Sequence, residues 1–344
     1  MDLTEVREKA KERMKGVCAV YKVCDGQPDR LCQGIKYGRA IGMGGIGKGA
    51  SFAANLEALD RLRLKTRLIS PHVEPETKAD FLGREVAFPI FCSSMSGVQI
   101  SMGGGISELE FARAVVQGCK AAGTIGFMGD GAETFEEQPG LQAIQEAGGW
   151  GVQIFKPREQ KVLLRLIQEA ETSGAIAVGV DLDGAGSVPM ALKGQPVFRK
   201  SLDELQELVQ STSLPFILKG ITSEEDAAAA LQTGCRVVSI SNHGGRTLDS
   251  MAGVADVLPQ LVPLLKGKVV ITADGGIRTG FDALKMLALG ADFVMVGREF
   301  IRAAIGGGAE GVRNEAEFLF KDLKKAMIMT GCNSLAEIDA RILK

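Results

Sequence analysis

From about residue 86 onward, short apolar runs rich in β-branched residues alternate with longer stretches of helical periodicity. The runs are 86–93, 124–128, 151–155, 175–180, 215–219, 236–241, 268–273 and 292–296. Between them, apolar residues recur every three or four positions near 107–122, 133–147, 157–173, 202–211, 223–233, 252–265 and 280–289, which predicts amphipathic helices. An eighth helix is expected to begin near 299, and two more, near 313–329 and 334–343, to close the chain. Ser201 with Glu204 three residues on makes a capping box, and Ser223 followed by Glu224 and Glu225 puts acids in a first helical turn. Eight runs in β-α alternation fit one (β/α)8 barrel; an open doubly wound sheet is the competing layout. Residues with chemical potential cluster just after successive runs, where barrel active sites lie, and this favours the barrel. Ahead of it, residues 2–16 read as an amphipathic helix and 17–50 as a long Gly-rich connection. Ser51 then caps a helix running to about Leu62. The expected division is an N-terminal extension, 1–84, packing on a barrel with C-terminal helices, 85–344.

Composition narrows the function classes. The chain has 344 residues, 40 Lys+Arg and 42 Asp+Glu, a net charge of −2, which argues against bulk binding to nucleic acid or an anionic membrane. No stretch approaches the 18 or so apolar residues of a membrane span, and the charged N-terminus is unlike a secretory signal. Seven cysteines, an odd number, suit reduced thiols in a cytoplasmic protein. Cys18, Cys24 and Cys32 are spaced C-x5-C-x7-C with neither histidine nearby; free thiols are favoured over a metal or cluster site, and no metal is expected. The 44 glycines suggest tight turns and close backbone approaches to a ligand. Gly42, Gly47 and Lys48 fit part of a phosphate-loop pattern, but Gly49 stands where Ser or Thr would reach magnesium and no strand precedes it, so triphosphate binding is not expected.

Three segments carry the chemistry. Ser241-Asn242-His243-Gly244-Gly245-Arg246 follows the sixth run and offers a base beside a guanidinium that can clamp a carboxylate. His72, the other histidine, reads as a loop residue. Thr272-Ala273-Asp274-Gly275-Gly276-Ile277-Arg278 and Val296-Gly297-Arg298 follow the seventh and eighth runs, where Gly-rich turns with an Arg make the phosphate site of many such barrels. Lys219 ends the fifth run and could form a Schiff base, stabilise negative charge on a bound ring, or simply be solvated.

SNHGGRTLD, PFILKGITSEEDA and ADGGIRTGFDALKMLALGADFVMVGRE resemble the FMN-dependent α-hydroxy-acid oxidases and dehydrogenases, the glycolate oxidase and lactate oxidase group. The likeness spans about residues 51–343, including the closing MTGCNSLAEI, and is strongest from 213 onward. It implies FMN as cofactor and a (β/α)8 fold. It implies His243 as catalytic base, Asp181 as its carboxylate partner, Arg246 as the substrate-carboxylate anchor, and Lys219 near the flavin pyrimidine, stabilising the anionic reduced ring. Ser241, Gln153, and Ser94, Met95 and Ser96 would contact the flavin; Asp274, Gly275, Gly276, Arg278, Gly297 and Arg298 would hold its ribityl and phosphate end. The implied partners are a hydroxy-acid substrate and an electron acceptor of open identity, in a homo-oligomer that the resemblance makes a tetramer.

The chain departs from the family in its substrate pocket. The usual Tyr-Tyr pair is replaced by Arg39-Ala40-Ile41 before the Gly-rich turn, with Tyr37 the nearby tyrosine; the Tyr after the flavin glutamine is Phe155; and 181–187 holds no second arginine. Gly129 and Gly179 stand where flavin-contacting hydroxyls are usual, and 183–200 is short for a lid. Lys193 or Arg199 could supply the lost cation, and Phe155 with the short 183–200 loop could form an apolar wall for a bulkier hydroxy acid. An FMN-dependent isomerase of the isopentenyl-diphosphate type and a flavoprotein without turnover are the alternatives. An isomerase would not be expected to carry His-Gly-Gly-Arg.

Overall fold

The computed structural model describes residues 1–14, 45–46, 49–132 and 134–344. The cysteines at 18, 24 and 32, Tyr37 and the 39–44 turn lie outside the described residues. Helices α1 (Leu3–Arg13) and α2 (Ala50–Arg61) come first, then a hairpin of β1 (Ala79–Phe81) and β2 (Arg84–Val86). Eight parallel strands follow: β3 (Ile90–Met95), β4 (Gly126–Met128), β5 (Val152–Phe155), β6 (Ala177–Asp181), β7 (Phe216–Ile221), β8 (Val237–Ile240), β9 (Val270–Ala273) and β10 (Phe293–Val296). Each pairs with the next, and β10 bonds back to β3, closing the barrel. The connections carry α3 (Val98–Ser101), α4 (Glu108–Ala121), α5 (Pro139–Glu146), α6 (Gln160–Thr172), α7 (Val188–Leu192), α8 (Leu202–Gln210), α9 (Glu224–Thr233), α10 (Val254–Leu265) and α11 (Gly280–Ala288); α12 (Arg298–Thr330) closes the ring. The (β/α)8 expectation therefore holds over the open sheet.

The strand period of two sorts side chains into two cores. Phe91, Phe127, Val152, Ile154, Ala177, Ile217, Val237, Phe293 and Met295 fill the barrel interior. Cys92, Met128, Phe155, Val178, Val180, Leu218, Val238 and Ile240 face the helices. The hairpin plugs the amino end of the barrel: the Phe81 ring meets Phe91 at 4.8 Å and Phe293 at 5.1 Å, both edge-on. This hairpin was invisible as such in the sequence, and the first run divides there, Val86 ending β2 and the barrel strand starting at Ile90.

Caps at Ser107, Ser201 and Ser223 hold α4, α8 and α9. Three expected boundaries move. The helix expected over 133–147 begins only at Pro139. The stretch 334–343 is two short 3-10 turns, Leu335–Glu337 and Ala340–Ile342, since it forms edge bonds to the chain near Arg63 and Lys65 instead of a helical ladder. The two helices expected near 299 and 313 are one run broken at Gly308, whose φ of 59° and ψ of −148° no other residue type adopts readily.

Helix α1 crosses α12 at Gly306, where a Cβ would sit 1.9 Å from the Val6 carbonyl oxygen. Under this crossing Glu315 is buried, its Oε1 without a hydrogen bond among the described residues and its Oε2 3.6 Å from Arg7. Burial, with Glu299 adding repulsion, pushes its carboxyl up to about 7. Folding thus opposes ionisation of Glu315. Its cost is absent below the ordinary value of 4.5 and grows as pH rises through about 7. Glu315→Gln should remove this cost. The stability of the wild type relative to the variant, read by denaturant unfolding, should fall by about 2–3 kcal/mol between pH 4.5 and 8. A difference that stays flat with pH would show that Arg7 fully neutralises the group.

Candidate active site at the carboxyl ends of the barrel strands

The same period of two decides what faces the open end of the barrel. Counting on from the interior residues, the inward positions are Ser93 and Met95 on β3, Gly129 after β4, Lys156 after β5, Asp181 on β6, Lys219 on β7, Ser241 after β8, Asp274 after β9 and Gly297 after β10. All but the fully buried Ser241 open on two adjoining cavities that share Ser94, Met95, His243 and Arg246. The first also holds Ser96, Ile154, Lys156, Asp181 and Met190; the second holds Lys219, Gly244, Asp274 through Arg278, Gly297 and Arg298.

Buried charge organises the floor. Asp181 receives Lys156 Nζ at 2.6 Å on one oxygen and Lys219 Nζ at 3.2 Å on the other. His243 Nδ1 lies 3.2 Å from Asp181 and 3.0 Å from Asp183 Oδ1. Lys219 also bonds Ser241 Oγ at 3.0 Å, and Ser241 donates to Asp274 Oδ2 at 2.9 Å. Burial alone would raise the Asp181 carboxyl, but His243, Lys156 and Lys219 together hold it well below the usual range. Asp183, half-buried and beside Asp181, is pushed up instead by desolvation and by that neighbouring charge. For Lys219 desolvation is overcome by Asp181, Asp274 and Asp183, so its ammonium is held above the ordinary value. The ligand atoms of Asp181, Asp183 and His243 lie within 4.8 Å of one another, with two ammonium groups already on Asp181.

The structure brings most expected site residues together and corrects several assignments. His243 has two carboxylate partners, and the nearer is Asp183 on the 3-10 turn Leu182–Gly186, not Asp181 alone. The Asp-x-Asp spacing at the end of a strand was the available signal. Gln153 and Phe155 do not reach either cavity. Both sit on the outward register of β5: Phe155 is fully buried among the helix-facing residues, and Gln153 lies against Gly140 of α5. Ile154 and Lys156 take the inward positions. Of the 183–200 segment, Gly184, Gly186, Ser187 and Met190 line the first cavity, while Leu192 and Phe198 are exposed. Lys193 and Arg199 are exposed and line neither cavity. His72 is exposed in an irregular segment.

The loop after β8 is held from outside the barrel, by an element distant in sequence. His243, Gly244 and Gly245 have φ of 56°, 63° and 78°. A histidine in the left-handed region is strained, and such strain persists only where surroundings enforce it. Here α2 does so. Asn55 and Asn242 exchange amide bonds at 2.8 and 3.0 Å, and the Gly245 carbonyl accepts from Ile46 N–H at 2.9 Å. A Cβ on Gly245 would meet Phe52 N at 2.4 Å. Asp249 returns the support, accepting from Ala50 and Ser51 N–H at the start of α2. Ser51 is therefore not the cap: Gly49 occupies that position, and the Ser51 hydroxyl donates to Leu248 O at 2.7 Å.

The second cavity is built for an anion. Glu299 holds Arg278 Nη1 at 2.6 Å and Arg302 Nη1 at 3.0 Å, leaving Arg278 Nε and Nη2 buried without hydrogen-bond partners among the described residues. Gly275 and Gly276, at φ 97° and 83°, bring the backbone against Asn55, which a Cβ would meet at 2.8–2.9 Å. Arg298 opens α12, bonds Gly244 O at 2.9 Å and lies over the Phe52 ring at 4.5 Å. Two guanidinium groups, a helix amino end and close backbone make a phosphate cradle. A family profile described as FMN-dependent dehydrogenase matches residues 39–193 and 190–344.

The chain belongs to this family. 2-Hydroxyacid oxidase 1 of Homo sapiens is 30% identical over 334 residues, covering 86% of this chain and 88% of the relative. L-lactate oxidase of Lacticaseibacillus rhamnosus is 26% identical over 324 residues, covering 86% of each. A crystal structure of mandelate oxidase superposes with a TM-score of 0.78 at 25% identity, covering 100% of this chain and 97% of that one. FMN is the cofactor of this FMN-dependent dehydrogenase, and the orphaned donors of Arg278 fit its phosphate. A charged hydrogen bond contributes about 1.5–3 kcal/mol. Arg278→Ala should therefore weaken FMN binding about 10- to 100-fold, measured by flavin fluorescence on titrating the apoprotein. Unchanged affinity would remove this guanidinium from the phosphate site.

Proposed function

We propose that this flavoenzyme oxidises a 2-hydroxy acid to the 2-oxo acid, with His243 as the base. The observation that carries the reading is the placing of His243 between two carboxylates and Arg246 on the wall common to both cavities. A proton on Nδ1, facing Asp181 and Asp183, leaves Nε2 as the acceptor for a substrate proton, and the carboxylates favour the imidazolium that results. Arg246 has a buried Nε without a hydrogen-bond partner among the described residues, and burial pushes its guanidinium below the ordinary value against the pull of Asp181 and Asp183. A substrate carboxylate supplies the missing acceptor. FMN, when bound, supplies the two-electron acceptor. Lys219 lines the second cavity, where its buried ammonium offers positive charge, and Ser241 and Asp274 hold it there. Ser94 and Met95, which line both cavities, form the wall between the substrate and cofactor sides, with Ser96 on the substrate side, and Gly275, Gly276, Arg278, Gly297 and Arg298 receive the phosphate end. The comparisons favour this reading over an isomerase.

The first cavity is lined by Ile46, Met95, Ile100, Ala132, Ile154 and Met190. This apolar wall, replacing the one expected from Phe155, favours a bulkier side chain over that of lactate or glycolate. We place the enzyme in the cytoplasm as a homo-oligomer, a tetramer by family resemblance. Supporting the compartment, Cys92, Cys119, Cys235 and Cys332 are buried free thiols. No helix among the described residues is long and apolar enough to cross a membrane.

The test is anaerobic reduction of the holoenzyme followed by flavin absorbance. A 2-hydroxy acid with a branched or aromatic side chain should reduce it faster than lactate or glycolate; the reverse order would discard the apolar wall. Admitting oxygen or a quinone afterwards identifies the acceptor. His243→Gln should retain FMN but slow reduction at least about 100-fold, the scale of general-base loss. Unchanged kinetics would take His243 out of the mechanism.

A further inference from the structure

We propose that Lys156 is the second cation that holds the substrate's carboxylate, sharing it with Arg246. The proposal rests on the 2-hydroxy-acid reading. Ile154 pairs with Gly179 and Phe155 with Val180, so Lys156 follows on the inward side, level with Asp181. Its side chain lines the first cavity and keeps 15% of its surface exposed, against 3% for Lys219. The 182–186 turn makes room for it: a Cβ on Gly184 would sit 2.8 Å from Lys156 Cδ and 3.3 Å from Nζ.

An ammonium has three N–H donors. The 2.6 Å bond to Asp181 engages one and tethers Nζ at the edge of the cavity. The neighbouring cations have other work. Lys219 is held by Asp181 and Ser241 and lines only the second cavity. Arg158 makes a bidentate pair with Asp130, both bonds 2.8 Å, and a further bond to Gln195 at 2.6 Å.

A substrate carboxylate entering beside Asp181 and Asp183 meets two negative groups, and Arg246 by itself gives one positive charge against them. Lys156 adds the second and is already pinned to the carboxylate that flanks His243. It would therefore fix the substrate relative to the base. No arginine follows β6 to do this, since 182–188 reads Leu-Asp-Gly-Ala-Gly-Ser-Val.

The competing role is neutralisation of Asp181 without substrate contact. FMN-loaded wild type, Lys156→Met, Lys156→Gln and Lys156→Arg would be titrated with 4-methylpentanoate and with 4-methylpentanamide, read by perturbation of flavin absorbance. These probes share a side chain, lack the reactive hydroxyl and differ in charge. Wild type should prefer the carboxylate. Lys156→Met should lose about 10- to 100-fold in carboxylate affinity with the amide unchanged, and Lys156→Arg should keep part of the preference. Lys156→Gln, which keeps a donor for Asp181, should behave as Met does and serves if the Met variant fails to fold. Wild-type carboxylate preference in both the Met and Gln variants would overturn the proposal. A wild type that no 2-hydroxy acid reduces, but whose carboxylate preference disappears in these variants, would sink the oxidase reading and leave the anion site standing.

Discussion

A carboxylate taken out of water at the end of β6 has to be answered by positive charge, and Asp181 draws three neighbours to itself. Lys156 comes from the end of β5, Lys219 from β7 and His243 from the loop after β8. Adjacent strands of one barrel are thereby tied at their carboxyl ends by a single buried group. Such an ion network adds little net stability, because desolvation offsets most of the attraction. Its effect is orientation. It points His243 Nδ1 at a negative floor and pins two ammonium groups on opposite sides of it, one toward each cavity.

That division of charge separates the two halves of the site. On the cofactor side, Glu299 holds one arm of Arg278 and leaves two donors for a phosphate, and glycines let the backbone close in. On the substrate side, cations and carboxylates are mixed, and the walls are aliphatic. The strained His243 loop joins the halves. Its φ values are maintained from outside the barrel by α2, through Asn55 and Phe52, so an N-terminal helix far away in sequence sets the position of the base.

The motifs that read most clearly in the sequence were those in which one short segment carries the whole arrangement. His243 and Arg246 lie three residues apart in one loop, and Gly275, Gly276 and Arg278 in another; local backbone geometry alone brings each group to a common point. Residues that meet across segments were harder to read. Asp183, Asn55, Asp249 and Glu299 are ordinary polar residues until the barrel closes and sets each against its partner.

The sequence by itself determined the alternation of strands and helices, the closing of that alternation into a barrel, and the chemistry at the ends of the later strands. Periodicity and glycine-rich turns are properties of short stretches, and they survive without tertiary contacts. Only the tertiary structure decided the facing of β5. A shift of one residue exchanges every side chain between barrel and helix layer. The run Gly-Val-Gln-Ile-Phe-Lys is apolar enough on both faces to allow either choice. Pairing of Val152 with Phe127 and Ala177 selected one of them. It turned Gln153 and Phe155 toward the helices and set Lys156 beside Asp181, because a buried carboxylate accepts an ammonium where it would reject a phenyl ring.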